Sequence, residues 1–274
     1  MPELPEVETI RVGLEPKLVG RRLDHVVIND FRLTRPHDPL EVAAELQGER
    51  IAAVERRGKY LLFRFESGRV LLVHLRMTGG FRHARYGVKG DDPYRRAVVR
   101  LDDGSDVAYR DVRRFGTWLL LEPGELDPYL ESRVGEELLD RRLSAKAIQL
   151  LLARRRAPIK AVLLDQRVFA GVGNIYADEA LWWARIDPLR PAASLDLAEI
   201  RRLLQGIRKS LTYGIARQGA TLTDYRDADG RSGSMQREFR VYGRAGESCT
   251  RCGTPIEKTR AGGRGTWYCP NCQL

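Results

Sequence analysis

The sequence predicts an α+β chain: one N-terminal helix, an antiparallel β half, and a helical half that ends in a cysteine-rich hairpin. Three observations carry this. Apolar residues recur at helical spacing in the first twenty positions. Short β-branched and aromatic runs, separated by turn residues, fill the stretch to about 130. Helix caps and two Cys-x-x-Cys pairs fill the remainder. The 274 residues allow one large or two modest domains, and a hydrophobic share of 43% is enough to build cores, which excludes a wholly disordered chain.

The first helix rests on Val7, Ile10, Leu14 and Leu18, with Pro5 suited to a first turn and Gly20 as the stop. Strands follow at Leu23–Ile28, Tyr60–Glu66, Val70–Leu75, Ala97–Leu101, Val107–Tyr109 and Thr117–Leu121. Glu66-Ser67-Gly68 and Asp102-Asp103-Gly104 are hairpin turns, so residues 1 to about 130 read as a helix plus an antiparallel sandwich or barrel. Beyond them, Ser144 caps a helix over Ala145–Arg156 and Pro158 opens one through Arg167. Asn174 caps Ile175–Arg185, and Asp196 with Glu199 forms a capping box for a helix to about Gln218, ended by Gly219. Residues 220–236 are polar and glycine-rich and read as a mobile loop.

The net charge is +10, unevenly spread: residues 1–130 hold 22 basic and 21 acidic side chains, residues 131–274 hold 25 and 16. A basic second half favours a polyanionic partner, with nucleic acid first. No apolar run approaches the roughly 18 residues of a membrane span. The N-terminus lacks the basic-then-apolar order of a signal peptide. The expectation is a cytosolic protein with no membrane partner.

All four cysteines lie in the last 26 residues, as Cys249-x-x-Cys252 and Cys269-x-x-Cys272. This spacing suits one structural zinc ion (Zn2+) held by four thiolates, with no open coordination position for catalysis. Two disulfides or free thiols are the alternatives, and a cytosolic setting disfavours the disulfides. The metal would rigidify a hairpin at Gly262-Gly263-Arg264-Gly265 and present Arg264 as a phosphate or groove probe; otherwise Arg264 is a solvated turn residue.

At the other end, removal of Met1 would make Pro2 a free secondary amine. Such an amine titrates near 8 and can attack an electrophilic carbon, with Glu3 or Glu6 alongside as a general acid. Taken alone, Met-Pro is more often simply a helix start.

The motifs together say more. Met1–Thr9, MPELPEVET, resembles the N-terminal signature of the bacterial formamidopyrimidine-DNA glycosylases, the MutM family. The likeness continues through Arg57–Leu61 (RGKYL), His74–Gly79 (HLRMTG), Asp111–Gly116 (DVRRFG), Ala170–Glu179 (AGVGNIYADE), Val241–Arg244 (VYGR), Gly263–Thr266 (GRGT) and Tyr268–Gln273, in order and over nearly the full length. It implies an N-terminal catalytic β-sandwich domain at 1–131. A helix–two-turn–helix domain follows at 132–236, with a lesion-capping loop at about 220–236, and a four-cysteine zinc finger with its β-hairpin at 237–274. It further implies a base-excision repair enzyme, a glycosylase and abasic-site lyase. Its partner would be double-stranded DNA containing oxidised purines (8-oxoguanine, formamidopyrimidines) or abasic sites, met by a monomer in the bacterial cytoplasm at the nucleoid.

By this resemblance Pro2 is the nucleophile, Glu3 the proton donor, Lys59 the group assigned to β-elimination, and Arg264 a residue of the later elimination and of phosphate binding. Excision requires a flipped base. Met77, Arg113 and Phe115 correspond to the residues that fill the gap, Arg113 facing the orphaned base. Asn174 opens a helix at a phosphate. Arg155 and Lys160 belong to a basic stretch near DNA, and His74, Tyr242 and Lys258 are candidate backbone contacts. For Met77 and Phe115 the plain alternative is core packing, and for the arginines a solvated helix face. The chain departs from the usual family pattern at Arg76, where glycine is the commoner residue, and Trp267 occupies a variable slot. The related endonuclease VIII type, which prefers oxidised pyrimidines, begins Pro-Glu-Gly-Pro-Glu, where this chain has Pro-Glu-Leu-Pro-Glu. A catalytically inactive damaged-DNA-binding protein of the same fold would need neither Pro2 nor Lys59.

Overall fold

In the computed structural model, which describes residues 1–274, the first helix, α1, spans Leu4–Leu18. Val7, Ile10 and Leu14 are fully buried and Leu18 nearly so, which puts the whole apolar stripe in the core. Each such side chain contributes about 1.5–3 kcal/mol. Glu3 is the N-cap and forms a capping box with Glu6, while Gly20 ends the run in the left-handed region at φ +80°.

The strands that follow are β1 (Leu23–Ile28), β2 (Ile51–Arg57), β3 (Tyr60–Phe65), β4 (Val70–His74), β5 (Gly79–Ala84), β6 (Arg95–Leu101), β7 (Asp106–Asp111) and β8 (Thr117–Leu121), with α2 (Pro39–Leu46) between β1 and β2. They form two antiparallel sheets, ordered β1-β6-β7-β5 and β2-β3-β4-β8. Residues of both sheets meet in one core, among them Val26, Phe81, Val99 and Tyr109 from one, and Val54, Phe63, Val73 and Trp118 from the other. The first half is therefore a sandwich and not a closed barrel. The six expected strands lie within two residues of these bounds. The sequence reading assigned nothing to α2, β2 and β5. Asp38 caps α2 by accepting from Leu40 N at 2.8 Å.

The chain forms two compact units: Met1–Leu130 with Gln218–Ser234, and Glu131–Arg217 with Met235–Leu274. Residues 218–234 thus pack within the first unit, although the sequence attached the 220–236 loop to the second domain. They carry no helix or strand, but they are pinned. Asp227 Oδ1 accepts from Asp229 N (3.0 Å) and Arg231 N (2.7 Å), the Ala228 carbonyl accepts from His83 N (3.0 Å), and the Arg82 guanidinium donates to the Arg226 and Asp227 carbonyls.

After α3 (Leu126–Glu131), the second unit runs β9 (Glu136–Glu137), α4 (Ala145–Leu152), α5 (Ile159–Leu164), β10 (Phe169–Ala170), α6 (Asn174–Ala184), α7 (Leu197–Ala216), β11 (Glu257–Ala261) and β12 (Arg264–Tyr268). Ser144 caps α4 and Asp196 with Glu199 boxes α7, as expected. Three helix bounds differ. α4 stops at Leu152, where Arg155 N donates to the Leu152 carbonyl at 2.9 Å and closes a turn. α5 ends at Leu164 because the Asp165 carboxylate accepts from Arg167 N and turns the chain. At α6 the N-cap is Gly173, and Asn174 is already helical. α6 and α7 lie backbone to backbone: a Cβ on Gly206 would sit 2.6 Å from the Ala180 carbonyl oxygen. No helix is long and apolar enough to cross a membrane.

One packing constraint in the first unit is severe. Tyr109 is fully buried and its hydroxyl, which has no hydrogen-bond partner, lies against two glycines. A Cβ on Gly116 would be 1.9 Å from that oxygen, and one on Gly79 would be 2.2 Å away. Gly116→Ala is therefore expected to cost about 1–3 kcal/mol in thermal or urea unfolding. Adding Tyr109→Phe, which deletes the obstructing oxygen, recovers part of that loss; a purely additive double variant refutes the clash.

Candidate active site

Pro2 and Glu3 are both buried where the chain enters α1, while Met1 is about half exposed. Glu6 fixes this segment: its Oε2 accepts from Glu3 N at 2.8 Å, and its Oε1 accepts from Ala220 N at 2.7 Å. The terminal segment and the 218–234 loop therefore share one carboxylate. In a chain that carries Met1 the Pro2 nitrogen is an amide, so nucleophilic chemistry there requires Met1 to be removed.

Lys59 is buried, in the two-residue turn Gly58-Lys59 that joins β2 to β3. Gly58 takes φ +57°, as a tight hairpin requires. Arg56 ties this turn to α1, donating to the Gly58 carbonyl (3.0 Å) and to Glu8 Oε2 (3.0 Å).

The expected gap-filling residues stand on two turns joined by Asp111. Its Oδ1 accepts from the Thr78 hydroxyl and its Oδ2 from Gly116 N at 2.7 Å, while Arg113 N donates to Thr78 Oγ1 at 2.9 Å. Arg113 and Phe115 are exposed, with the guanidinium 4.8 Å over the ring. Phe115 and the half-buried Met77 line one open concavity with Met1, Arg32, Arg35 and Arg76. The core-packing alternative fails for Phe115, which is 51% exposed. Arg76 adopts φ +53°, which accounts for glycine being usual at this position.

His74 ends β4. It is largely buried, edge-on to Tyr60 at 4.8 Å, and its Nδ1 accepts from Arg76 N at 3.0 Å. Burial pushes the imidazole down to about 3, with the charges of Arg76 and Lys59 acting in the same direction. The neutral ring then carries its proton on Nε2.

In the second unit, Lys160 is fully buried, against its expected place beside DNA. Its Nζ lies 2.7 Å from Asp178 Oδ1 and donates to the Gly265 carbonyl (2.8 Å) and Thr266 Oγ1 (2.9 Å). Asn174 Nδ2 donates to the same Gly265 carbonyl at 3.1 Å, and Trp267 N donates to Asp178 Oδ2 at 3.1 Å. These side chains hold the β11–β12 hairpin that carries Arg264. Gly262 and Gly263 form its turn, and the exposed Arg264 is the first residue of β12, paired with Ala261. Burial pushes the Asp178 carboxyl up to about 7, and Lys160 opposes this.

Tyr242 packs on Trp267 at 4.6 Å, and the exposed Lys258 lies over the same ring at 5.2 Å. Arg155 is half-buried and its Nε donates to the Leu151 carbonyl at the end of α4. Glu6, Asp111 and Glu179 are the positioning groups that the sequence reading gave no such role. Glu179 is buried and accepts from the backbone N of Arg240, Val241 and Tyr242 at 2.9–3.0 Å.

The four cysteines converge, with every Sγ within 4.8 Å of the others. The Cys252–Cys269 and Cys249–Cys272 separations are 3.5 and 4.0 Å. These are far from a disulfide's roughly 2.05 Å. They match the edge of about 3.8 Å that Zn–S bonds of about 2.3 Å impose on a tetrahedron. The donor set and spacing fit one structural zinc ion.

Two expectations follow from this geometry. The unfolded chain protonates His74 near its ordinary value of about 6.5, whereas the folded chain resists until about 3. The unfolded state therefore binds more protons in that window, and the contribution present above about 6.5 is lost as pH falls, by at most about 1.4 kcal/mol per unit. Urea titrations at about pH 7.5 and about pH 5 will show a smaller loss for His74→Gln than for the wild-type chain. Separately, Lys160→Met strands Asp178 and is expected to cost about 3–5 kcal/mol, partly restored by Asp178→Asn.

Comparison with known proteins gives a consistent result. Residues 1–118 match the family model of the formamidopyrimidine-DNA glycosylase N-terminal domain, 134–226 that family's H2TH domain, and 246–274 the zinc finger found in FPG and IleRS. The formamidopyrimidine-DNA glycosylases of Laribacter hongkongensis and Geobacillus kaustophilus are 46% and 43% identical, each over the whole of both chains. The crystal structure of MutM (FPG) from Thermus thermophilus is 43% identical with a TM-score of 0.87, covering 99% of this chain and 98% of that one. Lactococcus lactis Fpg in complex with DNA containing an abasic site is 36% identical with a TM-score of 0.91, covering 99% of each chain. The chain belongs to the formamidopyrimidine-DNA glycosylase family.

Proposed function

We propose that this chain is a base-excision repair glycosylase and abasic-site lyase that removes oxidised purines from double-stranded DNA. The observation that carries the reading is the shared Glu6 carboxylate, which fixes the buried Pro2–Glu3 segment and the base of the 218–234 loop together. An amine nucleophile needs a rigid chain terminus, and a flipped base needs a cover beside it. Relatives support the substrate class: Lactococcus lactis Fpg has been crystallised with DNA containing Fapy-dG and with DNA containing an abasic site.

In this mechanism the Pro2 nitrogen, freed of Met1, attacks C1′ of the extruded nucleotide. The glycosidic bond breaks, its electron pair leaves with the base, and the base takes up a proton. The Pro2 nitrogen sheds its N–H proton, Glu3 gives a proton to O4′ as the sugar ring opens, and the freed nitrogen lone pair forms an iminium at C1′. The iminium acidifies C2′–H; loss of that proton expels the 3′-phosphate, and a second elimination expels the 5′-phosphate. Lys59 assists the first elimination and Arg264 the second. Water finally hydrolyses the iminium and frees Pro2. A water nucleophile at C1′ would stop at an abasic site, so the amine couples base loss to strand cleavage.

Phe115 and Met77 enter the stack, and Arg113 meets the orphaned base. Asn174 and the first amides of α6, Tyr242, Lys258, Arg155 and the His74 Nε2–H are the backbone contacts of this reading. Lys160 acts only through the hairpin. The zinc ion is structural; its contribution is to fix β11 and β12, and no chemical step passes through it. The setting is bacterial cytoplasm, on chromosomal DNA. One observation favours a second substrate class: a Lactococcus lactis Fpg structure contains DNA with an oxidised pyrimidine.

Borohydride trapping on duplexes with a single 8-oxoguanine opposite cytosine tests the mechanism. The expected result is a covalent adduct that maps to residue 2, from protein whose N-terminal sequence begins at Pro2. Base release without an adduct, or active protein that retains Met1, overturns it. A parallel thymine glycol duplex measures the pyrimidine activity, which is expected to be the weaker.

A further inference from the structure

The inner face of the zinc finger rests on two adjacent tryptophans of α6, Trp182 and Trp183, which meet edge-on at 4.7 Å. They face different chemistry. Trp183 receives the Lys209 ammonium 3.6 Å from its ring centre. Trp182 is 4% exposed, and its indole Nε1 lies 3.4 Å from Cys249 Sγ.

We propose that Trp182 is a positioning residue of the zinc site: its indole N–H holds the Cys249 thiolate and sets how tightly the chain retains its metal. An indole N–H is a donor only, and a buried donor must find an acceptor. Here the acceptor is a sulfur atom. Cys249 is itself buried, whereas Cys252 is exposed, so water solvates the outer corner of the cluster while protein donors must serve the inner one. Arg251 N supplies a second donor to the same sulfur at 3.5 Å.

The charge balance points the same way. Four thiolates around a divalent ion leave two net negative charges, which a buried corner tolerates only with compensation. The Arg251 guanidinium stacks over the Trp182 ring at 4.0 Å and its Nη2 donates to the Trp182 carbonyl at 3.0 Å. Its Nη1 is buried with no hydrogen-bond acceptor, a cost that the negative cluster offsets. Trp182 thus joins the metal knuckle to α6 through both its N–H and its ring face. Groups that hydrogen-bond to metal ligands set affinity strongly, and losing one commonly costs 10–100-fold.

The test uses the full-length zinc-loaded chain. Trp182→Phe keeps a ring for Arg251 to stack on and deletes the N–H. In competition with a chromogenic chelator it is expected to hold zinc at least about tenfold less tightly, while Trp183→Phe stays at the wild-type value. Cobalt-loaded Trp182→Phe should show its thiolate charge-transfer bands at lower energy, because a thiolate stripped of a donor is easier to oxidise. A third measurement needs no substitution and decides the matter if Trp182→Phe does not fold. In the wild-type chain loaded with NMR-active cadmium, the Trp182 indole proton should show scalar coupling to the metal through the N–H···S bond. Absence of that coupling, or unchanged zinc retention with unshifted cobalt bands, would falsify the assignment and reduce Trp182 to packing.

Discussion

A chain terminus that must hold a fixed place has a physical problem that the Glu6 carboxylate solves. Termini fray, because few contacts offset their conformational entropy. Here the residues in question are buried, and Glu6 closes a capping box on Glu3 at the positive end of the α1 dipole. Glu6 is only 2% exposed. A buried carboxylate is costly unless its oxygens are used, and both are: one takes Glu3 N, the other Ala220 N. Hydrogen bonds to a charged group contribute about 1.5–3 kcal/mol each. The loop can approach this closely because residue 219 is glycine at φ +77°; a Cβ there would sit 2.8 Å from Glu6. Rigidity of the Pro2–Glu3 segment and placement of the loop are thus one constraint.

Asp111 plays the matching part for the turns that carry Met77, Arg113 and Phe115. It is 1% exposed, while of the side chains it supports Arg113 and Phe115 are exposed and Met77 is half-buried. Under the proposed function this division suits insertion into a base stack, where a tip free to make new contacts stands on a base that does not move. Phe115 is 51% exposed and shares its concavity with Met77, Met1, Arg32, Arg35 and Arg76, so its ring is open to new contacts. The left-handed backbone of Arg76, between His74 and Met77, costs roughly 1 kcal/mol, and the bond from its N–H to His74 Nδ1 offsets that strain.

The second unit uses buried charge in the same way. The hairpin that carries Arg264 is short, and a two-stranded ribbon has little stability of its own. Lys160 and Asn174 both grip the Gly265 carbonyl, Asp178 grips Trp267 N, and the cysteines close the far end. Glu179 does the equivalent for residues 240–242. A buried ion pair is weak evidence for stability, since apolar residues of like size often do as well. Its value here is directional: it fixes a particular carbonyl next to a particular arginine.

That difference explains what could be read in the sequence. β1 and β8 had correct bounds because each is rich in β-branched, aromatic or aliphatic residues and closed by turn residues, and the caps at Ser144 and Asp196 are local chemistry. β5 opens Gly79-Gly80, and β2 carries Ala52-Ala53 and a charged end, so neither has intrinsic strand preference; pairing with β7 and β3 makes them strands. The four cysteines were legible from their spacing alone, and Pro2, Glu3, Arg113, Phe115 and Arg264 were singled out from family motifs, with the roles given under the proposed function. Lys160 was misplaced because it follows three arginines in the sequence, and charge in a run reads as solvated. Only packing tells that α5 turns this one lysine inward to Asp178 while the arginines stay outside. Burial is a property of the assembled layers and not of the local sequence. Groups that act by being buried, Glu6, Asp111, Glu179 and Lys160, are therefore the ones whose part a linear reading does not give, even where, as for Glu6 and Lys160, it names the residue for another role.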